Sequence, residues 1–261
     1  MKKLAVLAAA LVVAFVVAPA MLATNGSTTD LADQGRLTAA FRNAFVAYWR
    51  SGAGDFDPGL QRVIDYWFRY HLAKALLGGA LLVVLIALGV LIWRAFLRAG
   101  GVRAAALAAS GSLITALAVL SLAAVMANIH GAAAPFGSLL PMLFGSSDGP
   151  LADTLTQIRQ QLADRQTSPA LDAIISDYAL FHAVLAVEGA IVVVMLLVPT
   201  VQLWRRFTRT ARAERRTRRL LAAYGAFLPL LSLALTVVVV VNAATAADPL
   251  PGLEGFFAGG W

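Results

Sequence analysis

Apolar and polar positions along this chain fall into long blocks. Four apolar runs, Leu72 to Trp93, Ala104 to Ala127, Ala183 to Trp204 and Leu220 to Val241, each approach the roughly 20 residues a helix needs to cross a bilayer. The first two are joined only by Arg94 to Arg103, so they predict a tight antiparallel hairpin, and the last two predict another. The polar blocks between them are amphipathic. Leu37, Phe41, Phe45, Tyr48 and Trp49 recur at helical spacing from Arg36 to Arg50, and Leu151, Leu155, Ile158 and Leu162 do so between Leu151 and Arg165. Ser51 to Gly54 ends the first stripe, and Gly145 to Pro150 reads as a turn before the second. The aromatic run from Tyr66 to Tyr70 belongs at the headgroup level, where amphipathic rings are favoured.

The pattern is also written twice. At a shift of 111 positions Pro58 matches Pro169, Leu60 matches Leu171, Ile64 matches Ile175, His71 matches His182 and Gly78 matches Gly189. Both stretches close on W-R-x-F-x-R, at Trp93 to Arg98 and at Trp204 to Arg209. Beyond that signature the shift is 114, pairing Gly111 with Gly225, Asn128 with Asn242 and Pro135 with Pro249. A fixed period of this kind predicts duplicated architecture. The expected fold is therefore all-α: a tandem duplication of a two-helix transmembrane hairpin, making a four-helix bundle. The hairpins cover 72–127 and 183–242, extracytoplasmic helical segments cover 24–71 and 128–182, and an outer tail covers 243–261. Two hairpins inserted in the same sense are parallel repeats, and their amphipathic helices are expected to pack over the bundle as a cap. Pro199 and Pro229 lie only in the second copy, where an internal proline is expected to bend the helix.

The N-terminus admits two readings. Lys2-Lys3, an apolar run to Ala18 and Ala18-Pro19-Ala20 make a signal peptide within 1–23. Apolarity that continues to Ala23 makes a retained fifth span.

Composition fixes the class. Hydrophobic residues make up 60% of the chain and charged residues 13%, far from the roughly 25% charged residues of soluble domains, so an integral membrane protein is expected. The absence of cysteine removes disulfides, thiol redox chemistry and thiolate metal sites. The net charge of +7 is distributed by topology: the N-terminus and the two short connections hold 13 of the 21 basic residues and one of the 14 acidic ones, Glu214. The positive-inside rule places these connections in the cytoplasm and the C-terminus outside the plasma membrane. Each connection is too short for a nucleic-acid surface, whereas the arginines from Arg205 to Arg219 suit anionic membrane lipid.

Candidate chemistry is sparse. There is no phosphate-binding glycine loop, H-E-x-x-H or G-x-S-x-G. His71, His130 and His182 all fall at one membrane face, and imidazole is the commonest metal ligand; a transition metal or haem is the cofactor they would hold. The competing reading is that each is a polar tip on an apolar body at the interface. Lys74 and Glu188 lie inside apolar runs, where ionisable groups usually pair or face a cavity, so an intramembrane ion pair is a second candidate.

Asp65 to His71, Trp93 to Arg98 and the ending Phe256 to Trp261 give the chain its resemblance to uncharacterised exported or integral membrane proteins of high-GC Gram-positive bacteria. That resemblance spans the chain and implies no activity. The leading expectation is a non-catalytic cell-envelope scaffold that binds an envelope protein or itself and uses no cofactor. The alternatives are a metal- or haem-binding membrane protein and a small-solute transporter.

Overall fold

The computed structural model describes residues 1–145 and 149–259, so Ser146 to Asp148, within the expected turn, and the final Gly260 and Trp261 lie outside the described residues. Among the described residues the chain is all-helical. Helix α1 is Lys2–Ala23, α2 Gln34–Ser51, α3 Pro58–Arg98, α4 Gly101–Ala133, α5 Pro135–Leu139, α6 Pro150–Ala163, α7 Pro169–Arg209, α8 Arg215–Ala247 and α9 Pro249–Phe257. Five of them, α1, α3, α4, α7 and α8, are long and apolar enough to cross a membrane, which fits a multi-pass membrane protein.

The main departure from the expected elements is their length. The aromatic entry segments and the apolar runs that follow form single helices, α3 and α7, of 41 residues each. At a rise of about 1.5 Å per residue each reaches about 60 Å, roughly twice the hydrocarbon thickness of a bilayer. Both begin with Pro at the first helical position behind a capping side chain. Asp57 accepts from the N–H of Gly59 at 2.7 Å and of Leu60 at 3.2 Å, and Ser168 Oγ accepts from the N–H of Leu171 at 3.3 Å. The partner helices α4 and α8 are 33 residues each. Helices α7 and α8 run through Pro199 and Pro229 without interruption, and the expected outer tail contains α9.

The chain divides into two compact units, and the long helices contribute to both. One unit comprises Met1–Val13, Gly78–Met126 and Leu185–Val241. Its large side chains are mostly outward: Val83, Ile86, Leu113, Val194, Leu233 and Val237 are all more than half exposed. Apolar exposure on this scale marks a surface that membrane or another protein covers, and it fits helices long and apolar enough to cross a bilayer. Inside this unit Ala8 of α1 is buried with Leu81 and Leu85 of α3, and Ser121 donates to the carbonyl of Gly78 at 3.1 Å.

The other unit comprises Ala14–Leu77, Ala127–Val184 and the chain from Asn242. It has a dense core of its own, in which α2, α6 and the first turns of α3 and α7 bury their apolar stripes. Phe136 of α5 is its centre, with ring contacts to Phe41, Phe45, Tyr48 and Phe56 at 4.7 to 6.4 Å. Polar ties stitch the helices together. Trp49 Nε1 donates to Gln157 at 2.9 Å, Arg42 Nε to the Met142 carbonyl at 2.7 Å, and Arg69 Nε to the Ala23 carbonyl at 2.8 Å. Tyr48 donates to the Ala170 carbonyl at 3.3 Å. Burial, aided by the charge of Asp55, pushes its phenol up to about 12, so the group stays protonated and remains a donor. Helix α2 stops where Gly52 adopts φ 66°, a left-handed cap that glycine enters without steric cost.

Candidate functional site

The histidines sit where α3 and α7 meet their following helices. His71 Nδ1 lies 2.9 Å from the side-chain oxygen of Asn128 on α4, and His182 Nδ1 lies 2.6 Å from that of Asn242 on α8. An amide oxygen only accepts, so each Nδ1 carries a proton, and in the neutral form of each ring Nε2 is the acceptor. Asn128 and Asn242 are both buried.

Aromatic edges wall both rings. Trp67 stands edge-on to His71 at 4.5 Å and Tyr70 at 5.7 Å; Tyr178 and Phe181 meet His182 at 4.5 and 5.4 Å. Trp67 is fixed by its own bond to Ser138 at 2.8 Å. Behind His71 lies Gly131, where a Cβ would stand 2.7 Å from Nδ1 and 2.9 Å from Cε1, so only glycine lets α4 approach that ring. His130 packs on Phe181 at 4.7 Å and lies within electrostatic reach of both other histidines.

The three histidines are thus gathered at one end of the helix pairs. Among the described residues, however, no group of three or more His, Asp or Glu side chains is placed to hold a metal ion. The nearby carboxylates have other engagements: Asp65 accepts from Gln61 at 2.7 Å, and Asp177 accepts from the N–H of Gly137. One histidine nitrogen stands out. Nε2 of His71 is buried without a hydrogen-bond partner among the described residues.

Of the two charged groups in apolar runs, Lys74 places its ammonium 4.9 Å from the ring centroid of Phe15 and 5.2 Å from that of Tyr70. Such cation–π contacts give the charge an environment that does not depend on Glu188. Glu188 is itself buried.

The W-R-x-F-x-R signature has a structural meaning of its own. Trp93 stands edge-on to Phe96 and Trp204 to Phe207, each at 5.5 Å. Each indole then lies on a glycine of the next helix. A Cβ on Gly111 would be 2.7 Å from the Trp93 ring and one on Gly225 3.4 Å from that of Trp204. Trp204 also donates to the Gly225 carbonyl at 3.0 Å. Gly111 and Gly225 are visible in the sequence as a matched pair, but their role as indole seats is not.

No protein-family model matches this chain, and searches of curated proteins and of solved structures likewise return no match.

Proposed function

We propose that this chain is a non-catalytic scaffold of the bacterial cell envelope, built by tandem duplication, whose aromatic-cored helical unit presents an interaction surface outside the plasma membrane. The observation that carries the reading is the paired His–Asn clamp. Both histidines commit Nδ1 to an asparagine on the next helix, at positions 111 and 114 apart, and both are enclosed by rings. Side chains held this way fasten helices together. The duplication is supported by the equal lengths of α3 and α7 and of α4 and α8, and by the repeated seating of tryptophan on glycine. It extends to α2 and α6, whose buried Leu37, Phe41 and Tyr48 stand 114 positions from Leu151, Leu155 and Leu162.

One observation favours the alternative, a haem-binding protein. Among the described residues the buried Nε2 of His71 has no hydrogen-bond partner, and haem needs only one or two axial ligands. The absorption spectrum and metal content of protein purified without chelators separate the two readings. The scaffold reading expects no Soret band and no stoichiometric metal. A Soret band that disappears in His71→Ala would overturn it.

Orientation forms part of the proposal: the arginine-rich connections face the cytoplasm, and α1 is retained as a fifth span. Retention is supported by the burial of Ala8 against α3 and by the bond from Arg69 to Ala23, since cleavage after Ala20 would strip α3 of the first contact. A reporter active only outside the cell is expected to work when fused after Trp261 and to fail when inserted between Arg209 and Arg212. The intact mass of the membrane-extracted chain is expected to include residues 1–23. The opposite reporter pattern would reverse the orientation, and a chain lacking its first 20 residues would make α1 a signal peptide.

A further inference from the structure

We propose that the membrane-crossing unit holds one anionic phospholipid in a groove between α3, α4 and α8. This deepens the membrane reading above, and only the choice of leaflet rests on the proposed orientation. The groove has a volume of about 600 Å³ and is walled by Trp93 of α3, Ala116 and Val119 of α4, and Leu220, Ala223 and Phe227 of α8. That is the size of a small-molecule site, but its chemistry is almost purely apolar. Two of its three hydroxyls are turned on one another and on the backbone: Thr115 and Tyr224 share a hydrogen bond of 2.5 Å, and Thr115 donates to the Gly111 carbonyl at 2.8 Å, which leaves Ser112 as the exposed hydroxyl of the lining. One exposed hydroxyl is little for a polar solute to bind, whereas an acyl chain finds apolar walls along most of the groove. At the rim Leu120 is 66% exposed and Phe227 38%, so the groove opens onto the hydrocarbon-facing surface.

Charge complementarity selects the headgroup. The groove face of α8 reads Leu220, Ala223, Tyr224 and Phe227, and one turn earlier on that helix stand Arg215, Arg216 and Arg219. Arg216 is anchored across the end of the groove, stacked 5.6 Å from the Phe96 ring centroid and donating to the Ala99 carbonyl. Arg215 and Arg219 are exposed, and the only acid of that connection is Glu214. Basic side chains beside a span attract anionic headgroups. A lipid with its chain in the groove would bring its phosphate to these arginines.

The test uses the full-length protein in mild detergent, titrated with phosphatidylglycerol or phosphatidylcholine of the same acyl chains and read by native mass spectrometry and thermal shift. Phosphatidylglycerol is expected to bind at least roughly tenfold more tightly, the effect of about two arginines near the headgroup. The exposed double variant Arg215→Gln/Arg219→Gln is expected to remove that preference. Ala223→Trp, at an exposed position that fills the groove, is expected to remove the bound lipid of either class. Equal binding of the two lipids, a preference that survives the arginine changes, or an adduct untouched by Ala223→Trp would each overturn the proposal. Displacement of the phospholipid by a neutral prenyl quinone in stoichiometric amount would overturn it in favour of a different occupant.

Discussion

Gly111→Ala is expected to destabilise the protein by about 1–3 kcal/mol, the usual cost of overpacking a filled site, whereas Gly225→Ala at the matched position is expected to cost less than about 0.5 kcal/mol, as an ordinary contact should. The difference lies in the indoles. The added methyl at Gly111 would stand 2.7, 2.9 and 3.1 Å from three atoms of the Trp93 ring system, all inside van der Waals contact. Movement of that ring would disturb its contacts with Phe96 and Tyr224, which meet it edge-on at 5.5 and 5.8 Å, and with the Thr115 hydroxyl 3.5 Å from its N–H, although its remaining face borders the groove. At Gly225 the nearest indole atom is 3.4 Å away. Close approach of helix backbones at small residues is a principal source of packing energy where lipid competes as an apolar solvent. Thermal unfolding in detergent measures both losses. Trp93→Leu is expected to restore part of the stability lost in Gly111→Ala, and a failure of that rescue would show that the indole is not what the methyl strikes.

The same pair of glycines shows how far the sequence can be read. Period and composition reveal the spans, because crossing a bilayer demands one residue class over a whole turn count. They reveal the amphipathic stripes of α2 and α6, because helical spacing is local. They also pair Asn128 with Asn242, and Gly111 with Gly225, at one constant spacing. They do not reveal what those places touch, because a contact between α3 and α4 depends on how two helices pack. The centre of the aromatic-rich unit is hidden for a related reason. Phe136 lies on α5, a helix of five residues, too short to carry any period, and only tertiary structure surrounds it with Phe41, Phe45, Tyr48 and Phe56. The histidines could be read as interfacial or ligating. Their asparagine partners were in view as matched residues, but 57 and 60 positions away in the chain.

Asn128→Leu is expected to cost about 1–3 kcal/mol, the penalty of leaving a buried donor without its acceptor, and to cost less when His71→Leu is made with it. The first change strands the Nδ1–H of His71 between Trp67 and the backbone at Gly131, with no room for the ring to turn toward another acceptor. Removing both polar groups leaves no stranded donor at His71, so the double change is expected to cost less than the sum of the two single ones. The coupling between the two substitutions is therefore expected to be about 0.5–3 kcal/mol, the range of residues in direct contact. The cycle of His182→Leu and Asn242→Leu is expected to couple with the same sign, since His182 makes the matching bond at 2.6 Å and is likewise enclosed by Tyr178 and Phe181. Cross-cycles, such as His71→Leu with Asn242→Leu, pair residues from different clamps and are expected to be additive within about 0.5 kcal/mol. Additive losses within each clamp would mean that the His–Asn bonds do not fasten the helices. The clamp would then give no support to the scaffold reading, and the buried Nε2 of His71, without a partner among the described residues, would weigh more heavily toward a ligand.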